Sequence, residues 1–340
     1  MKFAIFGTGF WSRFQLAGWR ELEGAECVAL YNRTRSKAEA LGREFGVEAV
    51  YDNAETLLGE VDVDFVDIIT DVDTHAAFTR LAAEHGKNVI CQKPLGPDLD
   101  TAREMKHVCD AHGVVLYVHE NWRWQRQIRE FKRILEGGRI GEPWRARIMY
   151  NSSFPVFENQ PFLAELEQFI LTDIGTHILD ALRFLFGEAE TLYCQTHRVN
   201  PTIKGEDAAS VSFRMRSGVH VNVEMSYASR WEEERFPQTY FFVEGENASL
   251  ELRKDFEIHL TDPRGTWIER FPPPLYPWVD PEYAAIHSSI VDCNRNLLAG
   301  LNGTGQAETT AEDNLNTLQL VYTCYDSAAH NRVEGVKRKI

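Results

Sequence analysis

The chain has 340 residues, of which 44% are hydrophobic and 26% charged, a balance typical of a folded protein of about two domains. Lys and Arg total 36 and Asp and Glu total 51, so the formal net charge is −15. This acidity argues against nucleic acid and against an anionic membrane surface as partners.

The N-terminus and the cysteines bear on location. No apolar run approaches the roughly 18 residues of a membrane-spanning helix, and the opening segment MKFAIFG is too short for a signal-peptide core. None of the six cysteines forms a C-x-x-C pair. We therefore expect a cytoplasmic protein with reduced thiols and no bound metal.

Residues 1–120 alternate between two hydrophobic periods. Short apolar strands are predicted at KFAIFG, ECVALYN, VDFVDIIT, KNVICQK and GVVLYVHE. Helical patterns are predicted over 11–22, 36–45, 74–84 and 99–111. Apolar strands separated by helices indicate a parallel sheet covered on both faces. The fold class is therefore α/β, with an N-terminal doubly wound parallel sheet of the Rossmann type over residues 1–120.

Residues 121–340 follow a different pattern. Helices are predicted over 128–136, 282–300 and 311–330, and a helical run over 165–186 is interrupted near residue 174. Alternating residues on both sides of Ser217-Gly218, and again around 244–247, indicate antiparallel hairpins. We predict a C-terminal α+β domain over 121–340 with an open, mostly antiparallel sheet. Its last helix is a candidate for packing back on the first domain.

A glycine-rich turn follows the first strand. Its sequence is Gly7-Thr8-Gly9-Phe10-Trp11-Ser12, or G-x-G-x-x-S, with serine in place of the usual third glycine. Between a strand and a helix, such a turn lets the backbone approach a pyrophosphate at the helix N-terminus. We assign Gly7, Gly9, Phe10, Trp11 and Ser12 to cofactor binding. The alternative is a plain tight turn.

The end of the second strand bears on the choice between NAD and NADP. Asn32 stands where an acidic residue would hold the ribose hydroxyls, and Arg33 follows it. Asn32 can bind a hydroxyl without repelling a phosphate, and Arg33 could stack on adenine or pair with a 2′-phosphate. A solvated cluster at a helix start is the alternative, and these residues alone leave the cofactor open.

A lysine ends the fourth of these strands, in the sequence Gln92-Lys93-Pro94. Ligands bind at the carboxyl ends of strands in such sheets, so Lys93 is a candidate acid, base or substrate contact, with a surface lysine as the alternative. Gln92 and Lys93 are also assigned to the cofactor. Thr70, which ends the third strand, and His75, in the next helix, join this cofactor-binding set.

The segment Asp173-Ile174-Gly175-Thr176-His177 is the second candidate catalytic motif. Asp173 and His177 are four residues apart, so a continuous helix would place them on one face. A nearby carboxylate can orient or charge a histidine, whose pKa lies close to neutrality. Asp173 and His177 are thus assigned to catalysis and substrate binding, with an exposed Asp–His pair as the alternative.

Aromatic and polar residues follow the last strand of the first domain. Asn121, Trp122 and Arg123 combine a ring with hydrogen-bond donors, which suits a polyhydroxylated ligand, and Phe154 is a candidate wall. We assign all four to substrate binding, and Asn121 to cofactor binding as well. A domain-interface core is the alternative for this cluster.

Taken in order, the glycine turn, the Lys-Pro strand end and the D-x-G-x-H-x-x-D segment resemble the Gfo/Idh/MocA family of nicotinamide-dependent sugar dehydrogenases, over almost the whole chain. The resemblance implies a catalytic role for Lys93 and the Asp173–His177 pair, a cis Lys93–Pro94 peptide, and oligomer contacts through the C-terminal sheet as a dimer or tetramer. The family usually has E-K-P, so Gln92 departs from it.

The segments QKP, HENWRW, FPVFENQPF and ELEQFILTDIGTHILD further resemble one branch of this family, whose enzymes oxidise a branched pentose to its lactone with NAD. The resemblance implies NAD as cofactor, with NADP not excluded, and a small sugar as substrate. Three alternatives stay open. They are an NADP-dependent sugar or inositol dehydrogenase, an NAD-dependent glycoside hydrolase, and a non-enzymatic NAD-bound sensor. Which of Lys93 and His177 is the base also stays open.

Overall fold

A computed structural model describes residues 1–232 and 236–337 of the chain. Two compact units are present: residues 1–121 with 290–318, and residues 122–289 with the chain after 318. The sequence analysis divides the chain once, after residue 120. The first compact unit differs from that division because it also includes residues 290–318. No helix in the described part of the chain has the length and apolar character needed to cross a membrane.

The first unit contains a parallel sheet with strands in the order β3-β2-β1-β4-β5-β6 among the described residues. Its strands are β1 (Lys2–Phe6), β2 (Glu26–Tyr31), β3 (Ala49–Tyr51), β4 (Phe65–Ile68), β5 (Asn88–Gln92) and β6 (Leu116–His119). Its helices are α1 (Phe10–Arg20), α2 (Arg35–Phe45), α3 (Ala54–Glu60), α4 (Val72–Glu84) and α5 (Leu99–Ala111). The predicted doubly wound α/β fold is confirmed.

The apolar strands account for this architecture. Residues 3–6 of β1 are fully buried, because β1 is a central strand with residues packed on both faces. The strand order reverses between β1 and β4, where ligands bind in sheets of this type. Polar side chains cap α3 and α5: Asn53 accepts a hydrogen bond from the Thr56 N–H at 2.8 Å, and Asp98 accepts one from the Thr101 N–H at 2.7 Å.

The second unit contains a sheet with strands in the order β14-β13-β12-β11-β7-β10-β9-β8-β15 among the described residues. Its strands are β7 (Pro143–Asn151), β8 (Ala189–His197), β9 (Ala208–Met215), β10 (His220–Ser226), β11 (Tyr240–Gly245), β12 (Ser249–Arg253), β13 (Glu257–Asp262), β14 (Gly265–Arg270) and β15 (Glu334–Gly335). Its helices are α6 (Arg126–Glu136), α7 (Val156–Asn159) and α8 (Ile174–Phe186). Helices α9 (Ala284–Leu301) and α10 (Ala311–His330) each contribute residues to both units.

Both hairpins expected in this sheet are present. Strand β9 pairs antiparallel with β10, and β11 pairs antiparallel with β12, whereas β7 and β10 run parallel. On β10, Val221, Val223 and Met225 are buried, whereas Asn222 is exposed and Glu224 half-buried, so one sheet face packs on the core. The predicted mostly antiparallel α+β domain is confirmed.

The helical run expected over 165–186 is wrong in its first part. A 3-10 turn covers Pro161–Glu165, and α8 begins only at Ile174. Asp173 precedes the helix with φ −85° and ψ −85°, so it is outside the helical backbone. The argument that Asp173 and His177 share one helical face therefore does not hold.

Candidate active site

The glycine turn after β1 has the backbone that a dinucleotide site requires. Gly7 has φ +96°, and a Cβ there would lie 2.6 Å from the Ile69 carbonyl oxygen, so a side chain is excluded. Gly9 is the N-cap of α1 without a capping side chain, and a Cβ on it would meet nothing within 4 Å. Open space before an uncapped helix N-terminus fits the pyrophosphate of a dinucleotide.

Two polar side chains hold this turn in place. The Ser12 hydroxyl, which is fully buried, donates to the Gly9 carbonyl oxygen at 2.6 Å, so serine occupies the third glycine position without filling the cradle. Asn32 accepts from the Thr8 N–H at 3.2 Å and donates to the Thr34 carbonyl oxygen at 3.0 Å. Asn32 thus joins the turn to the end of β2, as expected for a residue beside a dinucleotide.

Phe10, Trp11 and Arg33 lie around this turn. Phe10, the first residue of α1, is 63% exposed, an unusual position for a large apolar ring, and Trp11 is half-buried. Arg33 is exposed after β2. These positions suit residues that cover a bound dinucleotide, and their contacts with it stay predictions.

His75 links the ends of β4 and β5. Its Nε2 atom lies 3.1 Å from the Thr70 carbonyl oxygen, and Nδ1 lies 3.2 Å from the carbonyl oxygens of Pro94 and Leu95. Burial lowers the pKa of His75, although the carbonyl oxygens around its ring raise it. Because His75 is fully buried, its geometry supports a role in holding the Thr70 and Pro94 segments, and direct contact with a cofactor stays a prediction.

Lys93 immediately follows β5 and is half-buried, and the Lys93–Pro94 peptide is cis, as expected. The Gln92 Oε1 atom accepts from the Lys93 N–H at 3.1 Å. The Gln92 Nε2 atom donates to Gln15 Oε1 at 2.7 Å and lies 3.1 Å from His119 Nδ1. Gln92 therefore supports the backbone at Lys93. Its expected contact with the cofactor stays a prediction.

A buried acid, Asp67 on β4, was not singled out from the sequence. Its carboxylate accepts from Gln15 Nε2 at 2.7 and 2.8 Å and from Trp19 Nε1 at 2.8 Å. Burial raises the pKa of Asp67 to about 7, although the hydrogen bonds from Trp19 and Gln15 lower it. Nothing in the local pattern VDFVDIIT distinguishes this acid from a surface residue.

Asp67 makes the stability of the protein depend on pH. The native state binds the Asp67 proton more tightly than the unfolded chain, whose aspartate pKa is about 3.9. The stabilisation that this proton contributes is therefore fully present below the unfolded-state pKa, and it is lost as the pH rises through about 7. We expect the free energy of unfolding to fall by ~4 kcal/mol between pH 4 and 8 relative to Asp67→Asn. Urea unfolding of both proteins across this range measures it, and parallel curves would contradict it.

In the second unit, His177 lies in the first turn of α8 and is buried. Its ring stacks on Trp122 with centroids 4.6 Å apart and planes 20° apart. The Trp122 Nε1 atom donates to Thr239 Oγ1 at 2.9 Å, which fixes the indole. The predicted substrate residue Trp122 is therefore the support on which His177 rests.

Asp173 is held from a strand that the sequence did not connect with it. The Tyr227 hydroxyl, one residue after β10, donates to Asp173 Oδ2 at 3.0 Å. Burial and the neighbouring Asp173 both raise the pKa of Tyr227, so the phenol stays protonated and keeps donating. A partly exposed tyrosine after an alternating strand carries no signal by which the sequence could have identified it.

A second carboxylate anchors the segment that leads to Asp173. Glu206 is buried and accepts from the backbone N–H groups of Phe169 and Leu171, at 3.2 Å each, and from the Tyr325 hydroxyl at 2.6 Å. This irregular segment therefore has its amide groups satisfied although it lies outside regular structure. Glu206 positions the approach to α8.

Arg123 is paired inside the second unit. Its Nε and Nη2 atoms donate to the two oxygens of Asp180 at 2.7 and 2.6 Å, and both side chains are buried. Asp180 is the last residue of the D-x-G-x-H-x-x-D segment, so the pair ties α8 to the turn at 122–124. The geometry supports a positioning role, and contact of Arg123 with a sugar stays a prediction.

Phe154 and Asn121 complete the predicted set. Phe154 stacks on Phe236 with centroids 3.8 Å apart, and Tyr283 meets both rings edge-on. Phe154 is thus part of an aromatic cluster, and Phe236 and Tyr283 are members that the sequence did not suggest. Asn121 is buried at the end of the first unit.

A dinucleotide cradle with a lysine at a strand end, and a sheet domain that presents an Asp and a buried His, define a nicotinamide-dependent oxidoreductase. Residues 1–120 match the family described as "Oxidoreductase family, NAD-binding Rossmann fold", and residues 128–251 match "GFO/IDH/MocA C-terminal domain". The chain belongs to the Gfo/Idh/MocA family of oxidoreductases, and its cofactor is NAD.

Relatives align with this chain over its full length. A D-apiose dehydrogenase of Paraburkholderia graminis is 42% identical over 99% of this chain and 90% of the relative. A D-apiose dehydrogenase of Rhizobium rhizogenes is 37% identical over 99% and 97%. The crystal structure of an oxidoreductase from Agrobacterium radiobacter in complex with NAD+, L-tartaric acid and magnesium superimposes with a TM-score of 0.96, at 37% identity over 99% of this chain and 98% of that one.

Proposed function

We propose that the protein oxidises a cyclic aldose, D-apiose in the first instance, at its anomeric carbon to the lactone. The observation that carries this proposal is that Lys93, Asp173 and His177 are all present and held in place, because a sensor that only binds NAD needs no proton-transfer groups. Two relatives named D-apiose dehydrogenase, at 42% and 37% identity, support the choice of sugar.

The first unit would hold the dinucleotide through residues whose geometry fits it. The α1 N-terminus beside Gly7 and Gly9 would bind the pyrophosphate, Asn32 and Arg33 the adenosine end, and Thr70, Gln92 and Asn121 the nicotinamide end. Phe10 and Trp11 would cover it, while Ser12 and His75 hold the surrounding backbone. When bound, NAD supplies the acceptor for the hydrogen and electron pair that leave the anomeric carbon.

The protein residues would manage the proton and the sugar. The anomeric O–H loses its proton to Lys93 or His177 as the C–H bond breaks and the carbonyl of the lactone forms. Asp173 orients His177 or binds a hydroxyl, and Tyr227 keeps Asp173 in place. Phe154 would cover the apolar face of the sugar ring, and Trp122 would contribute to substrate binding by holding His177 in place.

A substrate screen tests this function. We expect NADH to form with D-apiose, and hydroxylamine to trap the product as a hydroxamate, which reports the lactone. The matched control is the methyl glycoside of the same sugar, which has no anomeric hydroxyl and should give no NADH. Parallel assays with NADP, other pentoses, hexoses and inositols define the range.

Three results of the screen would contradict the proposal. NADH formation with inositols only would make the enzyme a polyol dehydrogenase. Release of sugar from the glycoside without net NADH would make it a hydrolase. NAD binding without turnover of any aldose would leave the sensor interpretation.

We also propose that copies of the chain associate through the open face of the second sheet. Its strands alternate buried and exposed residues, and the open face carries cross-strand pairs of Arg145 with Glu244 and of Arg147 with Glu224. Such a broad face supports the dimer or tetramer that the resemblance implies.

A further inference from the structure

A row of buried polar side chains crosses the first unit. We call Asp67, Gln15, Gln92, His119 and Asn294 the buried amide chain. All five are at most 9% exposed. From Asp67 the contacts run to Gln15, from Gln15 Oε1 to Gln92 Nε2 at 2.7 Å, and on to His119 Nδ1 at 3.1 Å. His119 Nε2 then lies 3.0 Å from Asn294 Oδ1.

The groups at two points of the buried amide chain, the Asp67 carboxylate and the Lys93 N–H, fix the direction in which its hydrogen bonds are donated. A carboxylate only accepts, so Gln15 must turn its Nε2 atom toward Asp67 and its Oε1 atom toward Gln92. Gln92 must then donate from Nε2, which turns its Oε1 atom toward the Lys93 N–H. That backbone N–H only donates, so it demands the same orientation of Gln92 from the other side.

The donors around Asp67 are well matched to a charged acid. Trp19 contributes an N–H that can only donate, and Gln15 contributes the other contacts. No ion pair to Asp67 is present among the residues that the structure describes, so its burial costs stability at neutral pH. A buried acid that lowers stability at neutral pH is what one expects of a residue kept for another role.

We propose that Asp67 is a positioning residue of the dehydrogenase reaction, because its carboxylate, acting through Gln15, orients the Gln92 amide that holds the backbone of Lys93. This inference rests on the proposed role of Lys93. It couples the residue types at two positions that are not in contact with each other: an acid at 67 requires an amide at 92.

The same reasoning predicts which two substitutions would reverse every donor and acceptor in the buried amide chain between positions 67 and 92. Asn at 67 would accept from Trp19 and donate to Gln15, whose amide would turn over and donate toward position 92. Only an acceptor at 92 fits that arrangement, and a glutamate there still accepts from the Lys93 N–H. His119 would shift its proton to Nδ1 and donate to the glutamate, and Asn294 would turn over to donate to Nε2. The contacts from position 67 to His119 Nε2 are then satisfied in the opposite direction, whereas Asn294 gives up the 3.5 Å hydrogen bond from its Nδ2 atom to the Gln15 carbonyl oxygen.

The experiment is a double-mutant cycle at pH 8, above the pKa of Asp67. We expect Asp67→Asn and Gln92→Glu each to lower kcat about 10-fold or more, with KM for the sugar changed less than about 3-fold. The double variant should recover kcat to within about 3-fold of wild type. Its unfolding midpoint should be higher than the value obtained by adding the shifts of the two single variants to the wild-type midpoint. A purely structural role would shift the midpoint without changing kcat.

The control pairs Gln92→Glu with Asp207→Asn. Asp207 is also a buried acid and accepts from the Val199 and Asn200 N–H groups, but it lies in the second unit. Its effects should add to those of Gln92→Glu without recovery. If Asp67→Asn does not fold, Gln15→Met breaks the chain without changing its charge and should lower kcat by the same factor.

Two results would overturn the inference. One is a double variant whose fold-loss in kcat is the product of the two single losses and whose midpoint shift is the sum of the two single shifts. The other is Gln15→Met with wild-type kcat. If the wild-type enzyme oxidises no aldose, the proposed function fails on its own. The unfolding midpoints of the same four proteins then test the coupling within the buried amide chain. Additive midpoint shifts would overturn this coupling, and recovery in the double variant would support it.

Discussion

Lys93→Ala should lower kcat about 10³-fold while leaving the fold and NAD affinity close to wild type. General acid–base catalysis by one side chain contributes about 10²- to 10⁴-fold, and Lys93→Ala removes the Lys93 side chain beyond Cβ, including its amino group. The support from Gln92 contacts the Lys93 backbone N–H, which alanine retains. The measurement is kcat and KM from NADH formation, with NAD affinity from the quenching of tryptophan fluorescence.

Strand β5 provides a matched control for this variant. Lys87 precedes β5 as Lys93 follows it, and Lys87 pairs with the exposed Asp62 at 3.4 Å. Lys87→Ala should keep wild-type kcat, because it lies at the opposite end of the strand. Lys93→Arg should place a permanent cation at this position without restoring activity, since a guanidinium does not give up its proton and so cannot act as a base. A folded, NAD-binding Lys93→Ala enzyme with wild-type turnover would refute the catalytic assignment.

Arg123→Met should cost about 3–5 kcal/mol of the free energy of unfolding, the largest stability effect that we expect of a single substitution. The variant leaves the fully buried Asp180 carboxylate without its bidentate partner, in surroundings where an uncompensated charge is poorly solvated. Urea unfolding monitored by circular dichroism measures the loss.

Two further variants show whether burial of the pair is the cause. Arg123→Met with Asp180→Leu removes both charges and should recover most of the loss. Arg13→Met breaks a pair with Glu44 in which both side chains are about half exposed, and should cost less than about 1 kcal/mol. Equal losses for Arg123→Met and Arg13→Met would show that the buried pair has no special weight.

Regular elements with a strong hydrophobic period were predictable along the chain. Helices α5 and α10 begin and end where the pattern indicates, and both predicted hairpins pair as expected. Strand β3, helix α3 and the hairpin of β13 and β14 were missed. They are short, and β14 is largely exposed, so their residues lack a clear period.

The sequence also allowed candidate site residues to be chosen at the ends of strands, but it did not indicate which residues surround them. Gly7 and Lys93 are identified by their places after strands, because ligands bind at the carboxyl ends of strands in such a sheet. The partners of these positions come from distant segments. Gln15 is 77 residues from Gln92, Arg123 is 57 from Asp180, and Trp122 is 117 from Thr239.

The sequence by itself thus determined two domains of known class, a dinucleotide turn and three candidate proton-transfer residues, because local period and motif spacing encode them. Only the tertiary structure decided that Asp173 lies outside the helix and accepts a hydrogen bond from Tyr227. It also decided that His177 stacks on Trp122 and that Arg123 pairs with Asp180. It also brought Asp67, Gln15 and Gln92 into one hydrogen-bonded row. Hydrogen bonds and ring contacts depend on which distant residues the packed fold brings together, and no local pattern in the chain records that choice.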